Sequence, residues 1–178
     1  MKIRCFALTI IVLSLTLVSI DAINLTIQSR PIQSSYIIDI NEPALFNLTI
    51  TNNDESDTFE IYSLVGVEIS PKTLSLASGE TKTITIQVVP QDSLKTKRDT
   101  PFNFVYKIKN SKKEIDEETL SMMIIGLESA VTITPESINP KSEKIIVAIK
   151  NNLNKKFEGI DFTLQSVFFE YGTTTSFG

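Results

Sequence analysis

The chain has 178 residues, with 17 basic and 21 acidic side chains and a formal net charge of −4. Histidine and tryptophan are absent and Cys5 is the single cysteine, which leaves no material for zinc sites, Ser-His-Asp triads, Cys-His dyads or structural disulfides. The acidic balance argues against non-specific nucleic-acid binding, which needs a basic face, and 42% hydrophobic residues argue against a disordered chain.

The first element is an export signal. Met1-Lys2-Ile3-Arg4 is a short positive start, residues 5–20 are uncharged and mostly apolar, and Asp21-Ala22 closes the run. This is the pattern of a secretory signal peptide over residues 1–22. Cleavage is expected after Ala22, with Ser19 as the other candidate. An uncleaved anchor is the competing reading, but the run is short of the ~20 residues that span a bilayer as a helix. Cys5 precedes the apolar core, so a lipoprotein cleavage point is not available.

From residue 23 onward the pattern has period 2, broken by turn residues, which is the mark of a sandwich or barrel. Leu25 and Ile27 alternate with Asn24 and Thr26. Residues 36–40 read as a strand ended by Asn41-Glu42-Pro43, and Phe46, Leu48 and Ile50 face one way on the next. Residues 59–67 read as a further strand region, followed by Leu74, Leu76 and a turn at Ala77-Ser78-Gly79-Glu80. Ile84, Ile86 and Val88 form one face of a strand stopped by Pro90. Residues 91–99 read as a solvated crossover loop carrying Lys95, Lys97 and Arg98. A strand over 101–110 has Phe102, Phe104, Tyr106 and Ile108 on one face, and 114–126 returns with Leu120, Met122 and Ile124 inward. Seven or eight strands over residues 23–127 have the size and spacing of an immunoglobulin-like β-sandwich. Its expected core contains Phe46, Leu48, Ile50, Ile84, Ile86, Val88, Phe104 and Tyr106.

A second all-β, Ig-like unit is expected over residues 128–178. Its inward candidates are Val131, Ile133, Ile145, Val147, Ile149, Phe162 and Leu164, with Val167-Phe168-Phe169 as a further strand. Three or four strands leave an apolar face and open edges, so this unit is expected to be incomplete, truncated inside a second domain and unstable alone. Residues 44–52, with F-x-L-x-I before T-N-N, parallel residues 145–152, with I-x-V-x-I before K-N-N. This is an internal repeat consistent with a tandem array.

The succession ALFNLTITNND, VEISPKTLSLASGETKTITIQVVP and TPFNFVYKIKN resembles NEW-type and archaeal tandem immunoglobulin-like domains of secreted and cell-surface proteins. The resemblance rests on Pro71, Leu76, Gly79, Glu80 and Val88, and extends to AVTITPESINPKSEKIIVAIKNNLNKKFEGIDFTLQS, which resembles the opening of a further Ig-like domain. It implies structural positions only, so no catalytic residue carries over. It also implies a secreted or extracellular cell-surface location, with partners among other surface proteins or neighbouring Ig-like domains. Contact with a membrane would come only through an uncleaved signal or a C-terminal anchor missing from this chain.

Candidate sites are few. Asn24-Leu25-Thr26 and Asn47-Leu48-Thr49 fit the N-glycosylation acceptor rule, with both asparagines on the face opposite the apolar residues. Asn52, Asn53, Asp54, Glu55 and Asp57 are oxygen-rich, but their spacing matches no EF-hand and an ordinary polar turn is the favoured reading. Glu114, Asp116, Glu117 and Glu118 read as a solvated edge strand rather than a carboxylate pair for glycoside chemistry. Phe168, Phe169, Tyr171 and Phe177 read as core of the second unit rather than a sugar-stacking platform. No cofactor, no metal and no catalytic residue are expected. The sequence thus points to a non-catalytic structural spacer or adhesion module. The competing readings are an ancillary binding sandwich of a larger secreted enzyme and a strand-donating chaperone with Lys107 or Lys109 as its basic anchor.

Overall fold

The computed structural model describes residues 23–135, 146–153, 155–165 and 170–178; the expected signal segment and cleavage site at Ala22 lie outside them. The chain is all-β. Strands β1 (Leu25–Gln33), β3 (Ala44–Asn52), β7 (Thr81–Pro90) and β5 (Val67–Ser70) form one sheet in the order β1-β3-β7-β5. Strands β2 (Ser35–Ile37), β9 (Ile115–Ile125), β8 (Pro101–Lys109), β4 (Asp57–Ser63) and β6 (Thr73–Leu76) form the second, in the order β2-β9-β8-β4-β6. All pairs are antiparallel except β2 with β9. Two packed sheets with the first strand split between them make an immunoglobulin-like β-sandwich.

The alternation decides which residues meet. Ala44, Phe46, Leu48 and Ile50 of β3 and Ile86 and Val88 of β7 face Phe104, Tyr106 and Ile108 of β8 and Leu120, Met122 and Ile124 of β9, all buried in one core. Phe46 and Phe104 join the two sheets edge to face, with ring centroids 6.5 Å apart. The opposite face of the first sheet carries a row of uncharged polar side chains, with Arg30 beside Asn47. Thr49 and Thr83 share a hydrogen bond of 2.9 Å, Thr51 and Thr81 one of 2.8 Å, and the Thr85 hydroxyl donates to Asn47 Oδ1 at 2.8 Å.

Four sequence expectations are revised. Residues 36–40 are not one strand: β2 stops at Ile37 and a 3-10 turn follows over Ile38–Ile40. Asn41, at φ 51°, reverses the chain there, because Asn tolerates the left-handed region. Residues 59–67 are also divided. Gly66, at φ 62°, lets the chain leave β4 in one sheet and enter β5 in the other, and Leu64 and Val65 protrude between them. Residues 91–99 contain a single helical turn, α1 (Asp92–Lys95). Ile84 lies near the rim of the core and is half-buried, while the other seven expected core residues are buried. These breaks raise the strand count over residues 23–127 to nine.

Beyond a helical turn, α2 (Leu127–Ala130), come two hairpins. β10 (Val131–Pro135) pairs with β11 (Val147–Asn151), and β12 (Phe157–Gln165) pairs with β13 (Glu170–Phe177). Ile145, Val167, Phe168 and Phe169 lie outside the described residues.

The first hairpin repeats the β1–β3 pair in register and in side-chain bonding. Leu25 faces Asn52 and Ile27 faces Ile50; Val131 faces Asn151 and Ile133 faces Ile149. Asn52 Oδ1 accepts from the Asp54 N–H and its amide donates to the Glu55 carbonyl. Asn151 Oδ1 accepts from the Leu153 N–H and its amide donates to the Lys155 carbonyl. The next asparagine locks the paired strand in both units: Asn53 N–H donates to the Asn24 carbonyl and its amide to Thr26 Oγ1, as Asn152 does to Ala130 and Thr132. The T-N-N and K-N-N of the sequence are therefore the same closing device used twice.

Leu48 is fully buried between the sheets, so Leu48→Ala is expected to cost about 2–5 kcal/mol in denaturant unfolding. An unchanged midpoint would contradict the register of β3. The Tyr106 hydroxyl is buried with no hydrogen-bond partner among the described residues, and burial pushes its ionisation well above the ordinary phenol range. Tyr106→Phe removes an unpaired polar group and is expected to leave stability unchanged or higher; a loss of more than about 1 kcal/mol would contradict this.

Candidate functional site

The oxygen-rich turn has its donors committed to itself. Besides its bonds within the turn, Asn52 donates to the Ala77 carbonyl at 3.2 Å, and Gly79 N–H returns a bond of 2.8 Å to the Asn52 carbonyl. Gly79, at φ 73°, makes that return possible, and Glu80 Oε2 caps the Ala77 N–H at 2.7 Å. Asp57 turns away to the β8–β9 turn, accepting from the Ser111 N–H at 3.2 Å and hydroxyl at 2.9 Å. Asn52, Asn110 and Asp57 line a small polar recess at this end of the sandwich. Among the described residues no three acidic, histidine or cysteine groups converge to hold a metal.

Lys107 and Lys109 point out of the second sheet, where Lys107 pairs with Glu117 and Lys109 with Glu60 at 2.5 Å. Hydrogen bonds to those carboxylates hold both ammonium groups above the usual lysine range, against the opposing effect of desolvation. Neither is placed as a free anchor for a strand. Asp116, Glu117 and Glu118 occupy the half of β9 that β2 does not cover, since β2 pairs only with Met123, Ile124 and Ile125. Charge on that open edge discourages pairing with other chains. Asn24 is exposed at the start of β1, and Asn47 is half-buried on the polar face of the first sheet beside Arg30 and Thr85.

Two features emerge that strand-by-strand reading missed. The first is a joint between the sandwich and the hairpins. Ile37 and Ile125 point away from the sandwich core and are buried instead with Ala130, Val131 and Phe157. Phe177 stacks on Phe157 at 5.3 Å and so belongs to this joint. Around it, Asp39 Oδ2 accepts from the Leu127 N–H at 2.6 Å, Arg98 bridges Asp39 and Glu128, Ser129 donates to Asp99, and Lys155 pairs with Glu42. The loop that reads as merely solvated thus supplies Arg98 as a clamp. The signal was present in adjacent apolar pairs, Tyr36-Ile37 and Ile124-Ile125, which bury both faces of a strand end.

The second feature is an open apolar cleft of about 280 Å³ between the two hairpins. Ile133 is 54% exposed, Leu164 39% and Tyr171 62%, while Val147, Ile149 and Phe162 are half-buried. Of the expected inward residues of this unit that lie among the described residues, only Val131 is buried, and it is buried in the joint. Tyr171 lines the cleft instead of a core.

No protein-family model and no curated protein matches the chain. Solved structures to which it is similar include a FixG-related protein from Vibrio parahaemolyticus, 9% identical with a TM-score of 0.45, covering 56% of this chain and 95% of that one. The YadV chaperone is 11% identical with a TM-score of 0.36, covering 84% and 83%. The periplasmic chaperone SfaE is 13% identical with a TM-score of 0.35, covering 78% and 91%. At such scores the fold assignment rests on the strand order and register described above.

Asp57 gives the polar end a pH signature. Burial opposes ionisation, but hydrogen bonds from the Thr58 N–H and from Ser111, with the charge of Lys112, hold the carboxyl below the usual range. A carboxyl depressed in the folded state contributes its stability above the unfolded value, ~4, and loses it as pH falls through the folded value. Asp57→Asn is therefore expected to be less stable than the parent at neutral pH, with the two profiles converging in acid. Parallel profiles would show that the Ser111 contacts do not depend on charge.

Proposed function

We propose that this chain is an exported, non-catalytic protein of the Ig-like class that works as a spacer and interaction module at the cell surface. The observation that carries this reading is the repeated Asn-closed strand pair. A second copy of the same device begins immediately after the first sandwich and is seated on it through a buried joint. Repeats stacked through such joints set distance and orientation, which is the work of a tandem array. The resemblance to NEW-type and archaeal tandem Ig-like domains favours the same reading, with neighbouring Ig-like domains or other surface proteins as partners.

Export is motivated by the Lys2 and Arg4 start and the apolar run that follows. No helix among the described residues is long and apolar enough to cross a membrane. In a glycosylating host, Asn24 and Asn47 are the acceptors we assign, Asn24 being the more exposed.

N-terminal sequencing of the product from an expressing culture tests the address. The expected result is a secreted chain beginning at or near Ile23. A cytosolic protein retaining residues 1–20 would overturn it. Small-angle scattering of the same product tests the spacer role: one fixed particle dimension is expected, and Phe157→Ala is expected to broaden it by loosening the joint. Equal breadth for parent and variant would count against a rigid joint.

A further inference from the structure

The two acceptor tripeptides sit in opposite settings on one pair of strands. Asn47 and Thr49 lie in the middle of β3, with β1 on one side and β7 on the other. Asn47 stands between Arg30 and Thr85, and Thr49 between Gln28 and Thr83. The Thr85 hydroxyl donates to Asn47 Oδ1 at 2.8 Å, and the hydroxyls of Thr49 and Thr83 share a bond of 2.9 Å. Between the two, Leu48 is at 0% exposure in the core. This tripeptide leaves its sheet only when the sandwich unfolds. Asn24, by contrast, precedes β1, which is an edge strand among the described residues. Asn24 and Thr26 are exposed. Asn53 ties them to β3, its N–H donating to the Asn24 carbonyl and its amide to Thr26 Oγ1, each at 3.0 Å. Peeling the end of an edge strand is a local opening, which costs less than global unfolding. The equivalent tip of the second unit is shut. There Ala130-Val131-Thr132 takes the place of Asn24-Leu25-Thr26, bonded to Asn152, and Ala130 is at 0% exposure in the joint.

We propose, building on the acceptor assignment above and independently of export, that Asn24 is the glycan acceptor of the folded protein and that Asn47 accepts only before β7 closes against β3. The donor is a polyprenyl-diphosphate-linked oligosaccharide. Asn24 Nδ2 forms a bond to C1 of the first sugar as the bond from C1 to the phosphate oxygen breaks. The diphosphate leaves with the electron pair, and a proton leaves Nδ2 for solvent. The glycan then stands level with Asn53, at the end of β3. The joint gathers where β3 begins, near Glu42 and Lys155, about 30 Å away along the nine residues of that strand. The contact between the two units is left free.

The test is transfer by a purified oligosaccharyltransferase with its lipid-linked donor, read by peptide mass spectrometry. The substrates are the full chain, expressed in a host without the transferase, and synthetic peptides of residues 21–30 and 45–53. Both peptides are expected to be modified. In the full chain Asn24 is expected to be modified and Asn47 at least about tenfold more slowly. Leu48→Ala keeps the acceptor tripeptide but loosens β3, and is expected to raise transfer to Asn47 while leaving Asn24 unchanged. Equal transfer to both asparagines of the folded chain would overturn the proposal. So would an unmodified Asn24 in the chain when its peptide is accepted, or a Leu48→Ala chain no better at Asn47 than the parent. Refusal of either peptide would overturn the acceptor assignment itself, and the proposal with it.

Discussion

A β-sheet with one apolar face is stable only when something covers that face, and most of this molecule follows from how that requirement is met. In the first unit two sheets cover each other. Each strand offers alternate aliphatic or aromatic residues, and Phe46 against Phe104 shows how closely the layers interlock. The solvent faces carry threonine ladders and lysine–glutamate pairs, which satisfy cross-strand neighbours without adding apolar surface. In the second unit the same strand pair exists with much less to cover it. Part of its surface is buried on the sandwich through Val131 and Phe157, and the rest lines an open cleft.

The asparagine pairs connect sequence to this arrangement. A strand that ends in Asn-Asn closes its turn with the first side chain and ties its neighbour with the second. These bonds are local, so the device forms in either unit whatever packs on top. That explains how the β10–β11 hairpin keeps the register of β1–β3 although, among the described residues, β11 has no neighbour but β10. The same bonds give the oxygen-rich turn its shape, with Asn52 and Asp57 bonded to backbone and hydroxyl partners.

The sheet faces were legible in the sequence because period-2 alternation is a direct record of which side is buried. Phe104, Tyr106 and Ile108 on β8 and Leu120, Met122 and Ile124 on β9 follow it residue by residue. The repeat was legible for the same reason, together with the N-N signature. What alternation does not record is where a strand leaves its sheet. Asn41 and Gly66 make those exits through left-handed backbone, and a glycine or asparagine in a polar stretch does not announce its φ. The joint was hidden for another reason. Ile37 and Ile125 break the alternation by burying the second face of their strands, and Arg98 acts on Asp39 and Glu128, far from it in sequence. Such long-range pairings become visible only once the topology is known.

Amide hydrogen exchange of the two equivalent strands tests the account most directly. An interior strand donates its N–H groups alternately to two neighbours, whereas an edge strand donates every second one to solvent. The account predicts continuous protection along β3 from Leu45 to Asn52 and protection at every second residue along β11 from Val147 to Asn151. Uninterrupted protection along β11 would show that its outer edge is already paired, and would contradict the description of β11 as an edge strand.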